Sequence, residues 1–177
     1  MFALWLVAGC DDGTVIGPDA SATGGSGGGS GGQVAVGGAE EGGRLQGITL
    51  AHNRERAMND IPPLRWDARL AGVAQSWADQ LAARGCGLQH SSSGYGENIF
   101  AIFGADATPD QVVASWVSEK AAYVRSGGSC GLGCGHYTQV VWSRSERLGC
   151  GMAECGSTEV WVCNYDPPGN FIGQSPF

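Results

Sequence analysis

The chain has 177 residues, of which 42% are hydrophobic, and its 10 Lys and Arg against 17 Asp and Glu give a net charge of −7. This length suits one domain with a hydrophobic core, so disorder throughout the chain is excluded. No stripe of Lys or Arg accompanies the acidic balance, which argues against a surface that follows nucleic-acid phosphates. We therefore expect no nucleic-acid partner and attribute to the charge a role in solubility.

Residues 1–10 resemble the end of a lipoprotein signal peptide. An apolar run leads into Leu6-Val7-Ala8-Gly9-Cys10, which is similar to a bacterial lipobox, where cleavage precedes a cysteine that then carries a lipid. No positively charged segment precedes the run, so we expect this signal segment to be truncated at Met1. The prediction is lipidation of Cys10, and the alternative is a chance apolar terminus with a lone cysteine.

Residues 11–44 are rich in glycine and poor in apolar periodicity. They hold 13 of the 31 glycines of the chain. Such a segment cannot bury enough apolar surface to offset its chain entropy. We predict a disordered Gly/Ser-rich linker over 11–44 and a folded domain over 45–177.

Three helices are predicted in the first part of the domain. The first covers about residues 45–57. The second is capped by Asp67 and carries an apolar stripe at helical spacing, formed by Leu70, Val73, Ala74, Trp77, Ala78 and Leu81. The third begins with Thr108 as cap, Pro109 at the first helical position and Gln111 completing a capping box.

The last part of the domain is rich in β-branched and aromatic residues. Runs at 137–142, 148–153 and 160–165 predict short strands. Helices followed by strands indicate the α+β class.

Seven cysteines in a short chain predict disulfides and an oxidising compartment. Cys10 is the odd one, because it alone lies outside the predicted domain. The other six allow fifteen pairings from sequence alone. A structural zinc site at Cys130-x3-Cys134 and Cys150-x4-Cys155 is the competing interpretation, although neither spacing is a standard zinc knuckle.

Two motifs connect the domain with a known family. The sequences CGHYTQVVW at 134–142 and CNYDPPGN at 163–170 resemble the two signatures of the CAP superfamily, named for cysteine-rich secretory proteins, antigen 5 and pathogenesis-related class 1 proteins. The resemblance covers 45–177 and implies an α-β-α sandwich with a small antiparallel sheet between helical layers. The cysteines are similar in order to those of the plant class 1 proteins, which implies the disulfides Cys86–Cys155, Cys130–Cys134 and Cys150–Cys163.

The same resemblance implies a central cleft lined by His90, Glu97, Glu119 and His136. Neutral nitrogens of the two histidines are expected to hold a divalent metal, for which Zn²⁺ is the commonest match. The alternative is a hydrogen-bonded polar cluster without metal. The third histidine, His52, is assigned a structural role near the core.

Two functions follow from this reasoning. The first is a non-catalytic binding module, extracellular or lipid-anchored in the cell envelope, that holds an apolar ligand such as a sterol or fatty acid, or a protein partner. The second is a metal-dependent hydrolase or peptidase with Glu97 or Glu119 as general base. We prefer the first because the four cleft residues include no nucleophile, and Ser91 next to His90 in a loop is not a triad. A structural or adhesive role at the cell surface remains open.

Overall fold

The computed structural model describes residues 41–123, 130 and 133–177. The predicted signal segment with Cys10, and the predicted linker up to residue 40, lie outside the described residues. The last four linker residues are described and contact the domain. Glu41 accepts hydrogen bonds from the backbone nitrogens of Gly47 at 2.8 Å and Thr49 at 2.9 Å, so contacts to the domain already begin before residue 45.

Four α-helices and four strands make up the described domain. The helices are α1 (Ile48–Ala57), α2 (Ala68–Ala83), α3 (Pro109–Val117) and α4 (Gly135–Val140), with 3₁₀ turns at Gly43–Leu45 and Ser118–Ala122. The strands are β1 (Arg65–Trp66), β2 (Gly96–Phe103), β3 (Arg147–Cys155) and β4 (Thr158–Asp166). None of the described helices has the length and apolar character needed to cross a membrane.

The predicted starts of α2 and α3 are confirmed, whereas α1 begins at Ile48, three residues later than predicted. The Asp67 carboxylate accepts from the backbone nitrogens of Arg69 at 2.8 Å and Leu70 at 3.1 Å, which satisfies donors of the first turn of α2. Thr108 and Gln111 form the reciprocal capping box at α3. These signals are local, so the sequence alone was enough to predict them.

The strands form one sheet in the order β1-β3-β4-β2. Strand β4 pairs antiparallel with both β2 and β3, whereas the two-residue β1 pairs parallel with β3. The predicted α+β sandwich is confirmed, with a mixed sheet in place of the antiparallel one that we expected.

Each face of the sheet is covered by helices. Helix α2 packs on one face through a core that includes Ala74, Ala78, Leu81, Ile99, Val160 and Val162. Helices α1, α3 and α4 pack on the other face, around Trp116, Tyr137, Val140, Trp161 and Tyr165. Helix α2 lies so close to β3 that a Cβ atom added at Gly149 or Gly151 would collide with the helix backbone.

The strand predicted at 137–142 is wrong, because residues Gly135–Val140 form helix α4. The β-branched and aromatic residues of this run are buried from His136 to Trp142. Contacts from other elements reach both ends of the helix: the Glu119 carboxylate accepts from the first turn, and the Arg56 guanidinium donates to the carbonyl of Val140 in the last turn. Tertiary contacts thus outweigh the β propensity of the run.

The six domain cysteines form the three disulfides that the resemblance implies. Cys86–Cys155 joins the end of α2 to the end of β3, and Cys150–Cys163 joins β3 to β4. Cys130–Cys134 closes the segment before α4. No thiolate among these six is left for the competing zinc interpretation.

Candidate functional site

One histidine–glutamate pair lies at the start of α4. Glu119 belongs to the 3₁₀ turn that follows α3, and its Oε1 lies 2.7 Å from Nδ1 of His136. Its Oε2 accepts from the backbone nitrogens of His136 at 2.8 Å and Tyr137 at 3.3 Å. The side chains of Glu119 and His136 are only 9% and 10% exposed. The buried carboxylate therefore holds both the imidazole and the first turn of the helix.

A second pair lies where the loop after α2 leads into β2. Nδ1 of His90 is 2.8 Å from Oε1 of Glu97, and the same oxygen accepts from the backbone nitrogen of Ser91 at 2.9 Å. The Ser91 hydroxyl donates to Oε2 of Glu97 at 2.6 Å. Glu97 is nearly buried, whereas His90 remains about one-third exposed. This pair is the more open of the two.

Both pairs share one arrangement of protons. An ionised carboxylate only accepts hydrogen bonds, so each Nδ1 carries the hydrogen and donates it to its glutamate. In a neutral ring the other nitrogen, Nε2, then keeps its lone pair. Neither His90 nor His136 has a hydrogen-bond partner at Nε2 in the described part of the chain. Each pair therefore presents one uncommitted imidazole acceptor.

Strand β2 contacts both pairs. Glu97 is the second residue of β2, and its neighbour Asn98 donates from Nδ2 to the carbonyl oxygen of His136 at 3.1 Å. Among the described residues, no group of three or more His, Cys, Asp or Glu side chains could hold a metal ion. The four predicted residues thus form two separate pairs, not one cluster of four ligands.

An aromatic ring supports the buried pair. Trp116 on α3 stacks on His136 with ring centroids 6.4 Å apart and planes 18° apart. Its Nε1 donates to the carbonyl of Ile99 on β2 at 3.2 Å. Trp116 also contacts the ring of His52 at 5.8 Å, so it lies between a core histidine and a site histidine.

His52 is fully buried and hydrogen-bonded on both sides. Its Nδ1 lies 2.7 Å from the carbonyl oxygen of Ile48, and its Nε2 lies 2.8 Å from the hydroxyl of Tyr165. Burial lowers the pKa of His52 to about 4, with a smaller contribution from the positive charge of Arg56. Burial also raises the pKa of Tyr165 well above its usual range. Both groups are neutral at pH 7, as the structural role predicted for His52 requires.

The serines beside His90 do not complete a nucleophilic triad. The hydroxyl of Ser91 donates to Glu97, and Ser93 bonds Ser91, so neither of these contacts places a hydroxyl on the imidazole of His90. A nucleophilic serine would have to give its proton to a histidine nitrogen. This arrangement favours a supporting role for Ser91.

A separate pocket of about 290 Å³ lies at the far end of β2. It is lined by residues 104–106 and by the turn between β3 and β4. Its acidic side chains Glu159 and Glu154 lie 2.6 and 3.9 Å from Arg44. None of the four predicted site residues lines this pocket, so it does not belong to the candidate site.

Comparisons with known proteins agree with this geometry. A family model described as the cysteine-rich secretory protein family (CAP) matches residues 49–165. Pathogenesis-related protein 1C of Nicotiana tabacum is 48% identical over 130 residues, 72% of this chain and 77% of the relative. Pathogenesis-related protein 1 of Arabidopsis thaliana is 44% identical over 133 residues, 75% of this chain and 81% of the relative. The chain therefore belongs to the CAP family, as its two motifs predict, and resembles its plant class 1 members.

Solved structures show the same fold. BmVAL-1 superposes with a TM-score of 0.66 at 24% identity and covers 80% of this chain and 85% of that one. NaASP2, solved with Zn²⁺, has a TM-score of 0.65 at 25% identity over 82% of this chain and 90% of that one. A secretory family and three disulfides agree with the predicted location outside the cytoplasm. The plant relatives are not bacterial lipoproteins, so they give no support to lipidation of Cys10.

Proposed function

We propose that the protein is a non-catalytic binding module in which Nε2 atoms of His90 and His136 hold a divalent metal ion. The observation that carries the proposal is the shared arrangement of the two pairs, in which a glutamate occupies Nδ1 of each histidine. Metal-binding histidines usually donate their other nitrogen to a carboxylate or carbonyl, which fixes the tautomer and the ring. Zn²⁺ is commonly bound by histidine nitrogens in proteins. The relative NaASP2 was solved with this ion, which adds support.

Glu97 and Glu119 would orient the ligands without binding the metal themselves. Each carboxylate already accepts from one imidazole and from backbone nitrogen. Two histidines leave coordination positions for water or for an oxygen of a bound ligand, since Zn²⁺ sites are usually four-coordinate. The ion, when bound, would supply a Lewis-acid anchor for a carbonyl or carboxylate group.

No observation favours the alternative of a metal-dependent peptidase. A general base must take a proton from water, which requires a carboxylate oxygen within reach of that water. Both oxygens of Glu97 and both of Glu119 already accept hydrogen bonds from the protein. These bonds give the carboxylates a positioning role, which accords better with binding than with catalysis.

The proposal predicts one equivalent of bound Zn²⁺. The full chain, with its disulfides oxidised and its metal removed by chelator, is titrated with Zn²⁺ in a calorimeter. We expect saturable binding that is lost in the double variant His90→Ala/His136→Ala, because both nitrogen ligands are removed. Glu119→Gln is expected to weaken binding about 10–100-fold, since partners of metal ligands typically contribute that much.

Glu146→Gln is the matched control, because this carboxylate is 61% exposed and only 3.7 Å from Arg65 at the surface. Its affinity is expected to equal that of the wild type. Absence of binding in the wild type, or equal binding in the double variant, would show that the two pairs are a polar cluster without metal.

Two further expectations concern lipids, and labelled palmitate tests the fatty-acid ligand and the anchor. A fatty-acid ligand predicts saturable and reversible uptake of palmitate by the purified full chain, and a sterol ligand predicts the same for a labelled sterol. Lipid anchoring at Cys10 predicts that protein produced in a bacterial host with labelled palmitate carries covalent label. This label should survive denaturation of the protein and be absent from Cys10→Ser. A chain that takes up no label reversibly would contradict the fatty-acid ligand, and equal covalent label in Cys10→Ser would contradict the anchor.

A further inference from the structure

We infer that a buried chain of hydrogen bonds, from His52 through Tyr165 to Asn98, positions His136 for ligand binding. The inference deepens the proposed metal site and rests on it in part. The three residues come from α1, β4 and β2, and all are at most 1% exposed. They lie on the face of the sheet where α4 packs.

The direction of every hydrogen bond in this chain is determined by chemistry. The carbonyl of Ile48 can only accept, so Nδ1 of His52 carries the ring hydrogen. A neutral His52 must then accept at Nε2, and the donor is the hydroxyl of Tyr165, 2.8 Å away. The oxygen of Tyr165 in turn accepts from Nδ2 of Asn98 at 3.1 Å.

Asn98 connects these hydrogen bonds with His136. Its Nδ2 carries two hydrogens, one for Tyr165 and one for the carbonyl oxygen of His136, each at 3.1 Å. Each hydrogen thus has one acceptor, and reversing any single bond would leave a buried donor or acceptor without a partner. A buried polar group without a partner costs free energy, so this series of hydrogen bonds favours a single set of donor and acceptor directions.

The first turn of α4 depends on this support. A helix of six residues is too short to be stable by itself. Asn98 holds the carbonyl of His136 from β2, while Glu119 holds its backbone nitrogen and its Nδ1. Loss of the Asn98 contact would leave the residue held by Glu119 alone among these two partners, and the direction of Nε2 would be less defined.

Tyr165→Phe tests the inference, because it keeps the ring and removes only the hydroxyl that joins His52 to Asn98. We expect Zn²⁺ affinity to fall about 3–10-fold, less than for a direct partner of a ligand. In the metal-free protein, we expect altered ring resonances of His136 in ¹H–¹⁵N NMR spectra and faster exchange of its amide hydrogen. Both readouts report on the site itself.

Val160→Ala is the matched control for lost stability. Val160 is a fully buried residue of β4 on the opposite face of the sheet, packed with α2. We expect it to destabilise the protein without changing the Zn²⁺ affinity or the His136 signals. If Tyr165→Phe does not fold, Asn98→Ala removes the bonds to both Tyr165 and His136, and the same readouts apply.

The outcomes separate the inference from the proposed function. A wild type that binds Zn²⁺, together with unchanged affinity and unchanged His136 signals in Tyr165→Phe, would overturn the inference alone. A wild type that binds no Zn²⁺ would overturn the metal site. In that case the His136 signals of the metal-free variants still decide whether the hydrogen bonds from His52 to Asn98 position this residue.

Discussion

Replacing Arg56 with methionine is expected to lower the free energy of unfolding by about 3–5 kcal/mol. The guanidinium is fully buried and donates to four carbonyl oxygens, those of Pro62 at 2.8 Å, Val140 at 3.0 Å, Trp142 at 2.9 Å and Ser145 at 2.9 Å. Methionine fills similar space but removes all four donated bonds, and of these carbonyls that of Trp142 also accepts from the backbone nitrogen of Ser145. Equilibrium unfolding in urea measures the difference.

Arg54→Met provides the control on the same helix. The side chain of Arg54 is 58% exposed and its partner Asp110 is 69% exposed, so this surface pair contributes about 0–1 kcal/mol. Burial lowers the pKa of Arg56 to about 10, so its guanidinium is charged at pH 7 in the wild type and in Arg54→Met. Equal effects of the two substitutions would show that the carbonyl contacts of Arg56 contribute nothing beyond a surface arginine.

Acidification from pH 7 to pH 4 is expected to remove about 2–3 kcal/mol of stability through His52 alone. Burial lowers the pKa of this imidazole from 6.5 to about 4. The unfolded chain therefore binds the proton first, at about pH 6.5. The contribution of His52 to the free energy of unfolding is fully present above that pH and falls as the pH decreases towards 4. It changes no further once His52 is protonated in both the folded and the unfolded state.

Urea unfolding of the wild type and His52→Gln at pH 7, 5.5 and 4 tests this expectation. Glutamine does not titrate, so the wild type should lose more stability than the variant over this range. Groups that titrate in both proteins cancel in the comparison. Parallel loss in the two proteins, or ring resonances of His52 that titrate near pH 6.5 in the folded wild type, would contradict the prediction.

Local signals in the sequence predicted the parts of the fold that local chemistry determines. The caps at Asp67 and Thr108 need only neighbouring residues to form, and the structure contains them. The predicted stripe of α2 is buried at Leu70, Ala74, Ala78 and Leu81, whereas Val73 is 37% exposed. The site residues were different, because nothing in the spacing of His90, Glu97, Glu119 and His136 brings them together. Only the resemblance to the CAP family connected them.

Three features of the structure could not be predicted from local signals in the sequence. Helix α4 exists where β-branched residues predicted a strand, since Arg56 and Glu119 contact its two ends. Strand β2 was missed because its sequence, GENIFAIF, begins with glycine and polar residues and alternates poorly. Asn98 is adjacent to the predicted site residue Glu97, but its contact with His136 spans 38 residues and left no local signal.

The ion pair between Arg44 and Glu159 locates the N-terminal residues of the domain relative to the two histidine–glutamate pairs. Glu159 pairs with Ile102 near the end of β2, whereas Glu97 lies near its beginning. Five residues of extended strand separate these points by about 17 Å. Arg44 thus contacts the sheet at the end of β2 opposite to Glu97 and to the Asn98–His136 contact. A domain tethered through the residues before Arg44 would therefore have its attachment point and its two histidine–glutamate pairs at opposite ends of this strand.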